Sequence, residues 1–392
     1  MKNIIRFLLV IILVFSLSVQ SFAVSESADI AVSAPADYSE KESRAFNTYM
    51  ALLTEWSEEK DNISELTAAF PDYYGGSYIN ENHDFVIQIV GSIDDAISDL
   101  KRFIDTDSVI FEEVKYSYNT LLEEKNRISG EMMTSKTKTS ELITAVGIAG
   151  KENSIILYAD GNKMNSYNSS KSNVLDEITD FENVIIDSGS AETKLNNLGP
   201  SKAYPGDYGS SSNNNLFSVG FWCTDIFGRP GIITSSYAGV YTNVSVGFSG
   251  AYFGTCSDYQ CGGYVDAAFV LRENISISPT TLVPGHNIVL SNQAINAAPI
   301  GMTIYTRGCA SGARTGVVEA ANVDTNYGVY GTFIASNYCQ YGDSGGIATI
   351  YANDKYYIAG IITSATTNNK AGIVRAGEIL SALKVTPYDP VI

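Results

Sequence analysis

The first part of the chain mixes helical and extended patterns. Apolar residues recur at helical spacing from Phe46 to Leu53 and from Ile93 to Leu100, with polar or acidic residues between them. Between these segments, two apolar runs flank the polar stretch Asn80–Asp84, which predicts a β-hairpin. We expect an α+β region, with further elements as follows: a helix over Phe111–Ile128, strands at Ser154–Tyr158 and Asn183–Ile186, and a helix near Val174–Phe181.

The second part consists of short apolar runs separated by Gly, Asn and Ser. This pattern favours an all-β barrel or sandwich, closed by one helix at Ala376–Leu383. The small polar stretch Gly206–Asn215 precedes it and predicts a flexible hinge or processing site. The predicted strands are Leu216–Cys223, Gly231–Thr234, Val265–Leu271, Met302–Thr306, Val317–Ala320, Val329–Ala335, Ile347–Tyr351 and Tyr357–Thr363.

The start of the chain has the pattern of an export signal. Lys2 and Arg6 precede the apolar run Phe7–Val19, and Ser21–Ala23 has the small residues of a cleavage site. A run this short favours a cleaved signal over an uncleaved membrane anchor. We therefore expect a secreted protein, cut near Ala23, without a membrane anchor after cleavage.

Charge and glycine separate the two parts. Residues 24–200 carry a net charge of −18, whereas residues 201–392 carry −2 and 24 of the 33 glycines. We therefore divide the chain into a signal peptide (1–23), an acidic α+β domain (24–200) and a β-rich domain (201–392). The acidic total argues against nucleic-acid binding and against recruitment to anionic membranes, because both need a basic surface.

Metal and cofactor chemistry is not expected. The chain has two histidines, and its five cysteines show no spacing typical of a metal site. His83 falls in the predicted hairpin turn, where we expect a solvated residue.

The candidate chemistry lies in the segment Gly342–Gly346. A serine in a tight glycine turn can expose its hydroxyl, while its own N–H and that of Gly342 point at one spot and form an oxyanion hole. The surrounding sequence makes this chain resemble serine proteases of family S1, the chymotrypsin-fold group, and within it alpha-lytic protease and the streptogrisins. The segments that carry the resemblance are Phe217–Phe221, Tyr264–Phe269, Gly312–Gly316 and the serine turn itself.

This resemblance implies a chymotrypsin-like double β-barrel and assigns roles to single residues. Ser344 takes the place of the nucleophile and Asp266 that of the buried carboxylate that orients the base. Asp343 would hold the serine turn by pairing with the buried cation Arg307. The strand that pairs with substrate corresponds to Ser364, Ala365 and Thr366. Thr366, where the family often has glycine, would narrow the pocket beside Tyr338–Tyr341, which favours a small side chain or a blocked pocket.

The base departs from the family pattern. Where the family has histidine in Thr-Ala-x-His-Cys, this chain has Tyr237 in Thr234–Ala238. A phenol, with an ordinary pKa of about 10, keeps its proton at neutral pH and is a poor general base. We therefore interpret Tyr237 as a plug whose hydroxyl satisfies Asp266.

Two functional hypotheses follow. The first is a secreted pseudoprotease that binds a peptide or protein without efficient cleavage. The second is an active serine endopeptidase that works through a Ser344 acyl-enzyme, with a displaced base such as His286 and a removable pro-region. We expect a structural role for His286, because Pro284–Asn287 is typical of a surface turn.

Residues 24–200 match the pro-region of alpha-lytic-type proteases in length and placement. The resemblance implies that this region packs on the protease-like domain, and an independent acidic binding domain is the alternative. Without a working base, self-cleavage near Tyr204–Asp207 is not expected, so the secreted protein should keep both parts.

The cysteines fit export. Five cannot all pair internally, so one at least is free or intermolecular. The candidate disulfides are Cys256–Cys261 and Cys309–Cys339, and the remaining Cys223 is expected to be buried. The connectivity stays open at this point.

Overall fold

The fold is known from a computed structural model that describes residues 36–58, 63–134, 138–160, 163, 178–179, 184–189, 202–248, 250–366 and 368–389. The predicted signal peptide and all but two residues of the predicted helix near Val174–Phe181 lie outside these ranges. Within them, no helix is both long and apolar enough to cross a membrane.

The N-terminal region, meaning the described residues between 36 and 189, combines helices with a three-stranded sheet. Side chains at the ends of two helices explain where they start: Ser92 and Ser117 each accept a hydrogen bond from a backbone N–H of the first turn. The predicted helices at Phe46–Leu53 and Ile93–Leu100 and the hairpin are present. The elements are α1 (Ala36–Trp56), β1 (Tyr74–Ile79), β2 (Phe85–Ile89), α2 (Ile93–Leu100), β3 (Ile110–Glu113), α3 (Tyr118–Met133) and α4 (Lys138–Leu142).

One helix boundary was predicted wrongly. Phe111 lies in β3, where it pairs in parallel with Ile87 of β2, and the helix expected from Phe111 begins only after Ser117. The reason is that β2 offers an open edge to this segment, and pairing along that edge overrides the local helical spacing.

A second group of strands links the N-terminal region to the rest of the chain. They are β4 (Ile143–Ala149), β5 (Ser154–Asp160) and β6 (Val184–Gly189). The first two pair antiparallel, and β6 pairs in parallel with β5. Through β4, this group extends the sheet of the C-terminal region.

An antiparallel sheet forms the first part of the C-terminal region, meaning the described residues between 202 and 389. Its strands are β7 (Tyr208–Ser211), β8 (Leu216–Ser218), β9 (Trp222–Thr224), β10 (Pro230–Thr234), β11 (Ser245–Phe248), β12 (Ala251–Gly262), β13 (Val265–Arg272) and β22 (Thr386–Pro387). Their order in the sheet is β22-β9-β10-β13-β12-β11-β7-β8.

A second sheet forms the rest of the C-terminal region. Its strands there are β14 (Leu282–Val283), β15 (Ile288–Ala294), β16 (Thr303–Gly308), β17 (Gly312–Thr325), β18 (Thr332–Tyr338), β19 (Ile347–Ala352), β20 (Lys355–Ala365) and β21 (Lys370–Arg375). The order in the sheet is β14-β15-β20-β19-β16-β17-β4-β5-β6, with β18 and β21 paired to its strands. The predicted C-terminal helix is present as α5 (Ala376–Leu383). The two sheets confirm the chymotrypsin-like β-barrel architecture behind an α+β region.

The stretch Gly206–Asn215 is not the flexible hinge that its composition predicted. Its residues Tyr208–Ser211 form β7, which pairs with both β8 and β11. A side chain at Gly209 would lie 2.3 Å from the ring of Phe217. The small residues therefore serve close packing in the sheet rather than flexibility.

One hydrophobic core contains residues from both regions. Leu52, Leu53 and Ile87 belong to the same buried cluster as Ile304 and Phe333 of the C-terminal region. Two further clusters lie within the C-terminal region. The shared core means that the N-terminal region packs directly on the second sheet.

Candidate active site

The serine turn lies between β18 and β19 and needs glycine at two positions. Gly342 and Gly345 have φ angles of 102° and 91°, which L-residues rarely adopt. A Cβ on Gly345 would also lie 2.1 Å from Oγ1 of Thr234 and 2.3 Å from the carbonyl oxygen of Ser218. The turn therefore takes its shape from these two glycines.

Ser218, at the end of β8, ties the turn to the first sheet. Its hydroxyl donates to the carbonyl of Gly342 at 2.7 Å, and its N–H donates to the carbonyl of Ser344 at 2.8 Å. The N–H of Cys309 in turn donates to the Ser218 hydroxyl at 2.8 Å. Ser218 therefore holds two carbonyl groups of the turn in place.

The N–H groups of Gly342 and Ser344 make no hydrogen bond to another described residue. The Ser344 hydroxyl donates a long hydrogen bond of 3.5 Å to the carbonyl of Thr363. These are the donors that the sequence assigned to an oxyanion hole, and they are available to a carbonyl oxygen of a ligand.

Asp343 is held differently from the sequence expectation. Its buried carboxylate accepts from the N–H groups of Ala310, Ser311 and Gln340 at 2.8 to 2.9 Å and from the Ser311 hydroxyl. It makes no ion pair with Arg307, so that predicted pair is wrong. The backbone donors already satisfy the carboxylate, and no cation is needed.

Arg307 forms an ion pair with a different carboxylate, that of Asp207. Its guanidinium lies 3.0 Å from Oδ1 of Asp207 and also donates to the carbonyl of Pro205. Burial raises the pKa of Asp207, and Arg307 opposes that rise. Arg307 thus fixes the chain just before β7 rather than the serine turn.

Asp266, in β13, is fully buried and accepts four hydrogen bonds. Oδ1 accepts from the Ser236 hydroxyl at 2.7 Å and from the N–H of Tyr237 at 2.8 Å. Oδ2 accepts from the Ser235 hydroxyl at 2.6 Å and from the Thr363 hydroxyl. Four donors saturate a carboxylate, so this carboxylate has no lone pair left for a base.

The plug role predicted for Tyr237 is therefore wrong. The Tyr237 side chain is 59% exposed, and it is the backbone N–H, not the phenol, that reaches Asp266. Its ring packs against the ring of Tyr327, with 5.1 Å between centroids. The hydroxyls of Ser235 and Ser236 occupy the carboxylate of Asp266, and the Tyr237 ring stays at the surface.

A pocket of 350 Å³ opens beside Ser344. Its lining includes Tyr237, Tyr327 and the turn before Ser344. None of its lining residues is His, Lys, Arg, Asp or Glu. The lining residues are Asn215, Leu216, Tyr237, Ala238, Tyr327, Cys339, Gln340, Tyr341, Gly342, Ser344, Ile362, Thr363, Ser364 and Ala365.

Tyr327 is a pocket residue that sequence reasoning missed. It follows β17 in the turn before β18, and no local motif marks it. Burial raises its pKa to about 12. The phenol therefore stays protonated at neutral pH and is not a base for Ser344.

The two histidines lie elsewhere. Nε2 of His286 is 3.0 Å from the carbonyl of Thr306, and its ring packs on Tyr305. Nδ1 of His83 is 2.8 Å from Glu42, so His83 is not the merely solvated turn residue that was expected. Neither residue lines the pocket of Ser344.

Of the predicted substrate strand, two residues reach the pocket. Ser364 and Ala365 end β20 and line it, whereas Thr366 lies in the turn to β21 and does not. On one side they pair with Gly372 and Ala371 of β21. On the other side the pairing with β19 ends at Ile361, which leaves this edge of the strand open.

The candidate disulfides are absent, and all five cysteines are free thiols. Cys256 and Cys261 lie on the same strand, β12, which contradicts the proposed hairpin loop. Five strand residues span about 16 Å, far beyond the reach of a disulfide. Cys309 donates instead to the carbonyl of Gly342, and Cys339 to that of Ser364. Cys223 is buried as expected.

In the described part of the chain, no cluster of three or more His, Cys, Asp or Glu residues is arranged to hold a metal ion.

Comparisons with known proteins bear on both regions. A family model described as a Pro-like N-terminal domain matches residues 34–114. No curated protein matches the chain.

Solved structures of proteases resemble about half of the chain. A Nocardiopsis protease is 22% identical, with 48% of this chain and 100% of that chain covered and a TM-score of 0.40. A Cellulomonas bogoriensis chymotrypsin is 20% identical over 48% and 98%, with a TM-score of 0.39. A glutamic acid specific serine protease, described as using a histidine triad in substrate binding, is 26% identical over 47% and 100%, with a TM-score of 0.40.

Proposed function

We propose that this chain is a secreted pseudoprotease of the S1 type, which binds a peptide or protein beside Ser344 without cleaving it efficiently. The observation that carries the proposal is the hydrogen bonding of Asp266. Its carboxylate is saturated by Ser235, Ser236, Thr363 and the N–H of Tyr237, and the pocket offers no side chain that can take a proton from Ser344.

The missing base has a large kinetic consequence. Removing the base from a Ser-His-Asp triad costs about 10⁴- to 10⁶-fold in rate, while the oxyanion hole and binding alone keep about 10³- to 10⁴-fold over water. For His286 to act as a displaced base for Ser344, it would have to break its hydrogen bond with Thr306 and its ring contact with Tyr305.

Two features of the pocket support binding. The N–H groups of Gly342 and Ser344 suit the carbonyl of an extended peptide, and the open edge at Ser364 and Ala365 suits its backbone as an added strand. Because the lining side chains are uncharged, the ligand's side chains there should be neutral. Residues 24–200 act in this proposal as a pro-region-like partner of the barrels.

The test is selection from a random library of end-capped peptides on immobilised full-length protein. We expect enrichment of sequences with a neutral segment, recovered intact by mass spectrometry. Ala365→Arg, which places bulk and charge on the exposed end of β20, should abolish the enrichment. Ile275→Arg is the control, because Ile275 is 84% exposed and lies outside the pocket. Equal enrichment on wild type and Ala365→Arg would contradict binding at this site.

A further inference from the structure

A buried cation of the C-terminal region has its counter-charge in the N-terminal region. The side chain of Arg375, at the end of β21, is 1% exposed and lies over the ring of Phe333. Its Nη1 pairs with Glu65, whose side chain is also 1% exposed. Among the described residues, Glu65 is the only carboxylate that pairs with Arg375. The C-terminal region therefore depends on the N-terminal region to neutralise the charge of Arg375.

In a second buried ion pair, the N-terminal region supplies the cation and the C-terminal region the anion. Nζ of Lys125, in α3, lies 2.7 Å from Oδ2 of Asp324 in β17, and the two side chains are 7% and 8% exposed. Between the pairs, Asn322 accepts from Arg375 and donates to the hydroxyl of Tyr118 at 2.8 Å. Each region thus supplies one buried cation and one buried anion to the contact.

Backbone bonds and apolar packing continue across the same contact. In the pairing of β4 with β17, Val146 lies opposite Asp324. The N–H of Ile79 donates to the carbonyl of Ile300 at 2.7 Å, and a Cβ on Gly301 would lie 2.2 Å from the carbonyl of Ile79. Residues of both regions also belong to one hydrophobic core.

We propose that the described residues between 36 and 189 are a permanent part of the folded protein rather than a removable pro-region, and that they stay bound to the C-terminal region when the chain between the two regions is cut. A region that leaves must expose a surface compatible with water. Here its departure leaves Arg375 and Asp324 without their partners and divides the buried cluster that contains Met302 and Ile304. A charge that stays buried after it has lost its partner is strongly unfavourable. The proposal does not depend on the chemistry of Ser344.

The experiment uses the full-length chain with a Gly/Ser linker that carries a specific protease site, inserted after Leu198. The folded protein is cut and passed over a size-exclusion column in about 1 M salt, where charges are screened beyond about 3 Å. We expect both fragments to elute together and to separate only in denaturant. Separation of the fragments in native buffer would overturn the proposal.

Matched variants test the buried pairs. In the cut protein, Glu65→Gln and Lys125→Met should weaken the association by about 10²- to 10⁴-fold, the effect of one uncompensated buried charge. Lys151→Met, which removes only an exposed pair with Glu81, should change nothing. The double variant Lys125→Met/Asp324→Asn should recover most of the loss, because it leaves no charge unpaired and keeps an acceptor for the N–H of Gly331, which donates to Oδ1 of Asp324.

If Glu65→Gln does not fold, the comparison of Lys125→Met with its double variant decides alone. Dissociation of Lys125→Met no faster than Lys151→Met would show that buried charge does not hold the regions together, and would overturn this part of the proposal.

Discussion

The hydroxyl of Ser235 donates a hydrogen bond of 2.6 Å to Oδ2 of Asp266. In the family that this chain resembles, the corresponding position is alanine, and the histidine base two residues later pairs with the carboxylate. Here Ser235 and Thr363 both occupy Oδ2, while Ser236 and the N–H of Tyr237 occupy Oδ1. In the function that we propose, the loss of the base and the satisfaction of the Asp266 carboxylate therefore go together.

This relationship predicts that Tyr237→His alone restores little peptidase activity. The new imidazole would find Oδ2 already occupied by the Ser235 hydroxyl. Ser235→Ala/Tyr237→His opens that oxygen and should exceed Tyr237→His by at least about 10²-fold in peptide hydrolysis, the lower range for general base catalysis. The readout is kcat/KM on fluorogenic peptides, with Ser344→Ala added as the background. Equal activity of the single and double variants would show that Ser235 does not block the site.

Gly345→Ala should destabilise the protein by more than about 2 kcal/mol. The residue has φ of 91°, and its Cβ would overlap Thr234 and Ser218, so strain and steric overlap add up. Denaturant unfolding measures the change. Gly130→Ala is the control: Gly130 lies in α3 with open space around it, and alanine there should stabilise by about 0.5–1 kcal/mol. A neutral Gly345→Ala would contradict the geometry of the turn.

The five cysteine thiols should fall into two classes by their rate of reaction with a thiol reagent. Burial raises the pKa of Cys256 to about 12 and of Cys309 to about 11, and it also raises those of Cys223 and Cys339. Because the thiolate is the reactive form, a thiol reagent at neutral pH should label Cys261, which is exposed, and the other four only slowly. Unfolded, unreduced protein should titrate five thiols; three would reveal a disulfide.

Asp207→Asn should change how stability depends on pH. Burial raises the pKa of Asp207 from its ordinary value of 3.8 in the folded state, so the folded protein holds this proton more tightly than the unfolded chain. The stability that Asp207 contributes is present below pH 3.8 and is lost as the pH rises through the folded-state pKa. The free energy of unfolding of wild type minus that of Asp207→Asn should therefore fall with rising pH. A difference that grows with pH would mean that the Arg307 pair dominates.

Local patterns were enough to predict several elements. The helix Ala376–Leu383, the hairpin around Asn80–Asp84 and the glycine turn before Ser344 each depend on residues close in sequence. The partners of charged residues were not predictable in this way. Arg307 pairs with Asp207, a hundred residues earlier, and Arg375 with Glu65, because packing of distant strands decides which charges meet.

The same limit applies to the centre of the site. The place of the Tyr237 ring could not be predicted from the motif, because the hydroxyls of Ser235 and Ser236 compete for Asp266 only once β10 and β13 pair. Tyr327 enters the pocket from a turn that has no motif of its own.

The reactivity of Ser344 tests the central claim most directly. Full-length protein is incubated with a fluorescent peptidyl phosphonate that labels active serine proteases, beside an active S1 protease and the Ser344→Ala variant. Because no base lines the pocket, we predict labelling of wild type no faster than that of Ser344→Ala, and slower than that of the active protease by about 10⁴-fold or more. Labelling at a rate comparable to the active protease, lost in Ser344→Ala, would contradict the pseudoprotease account.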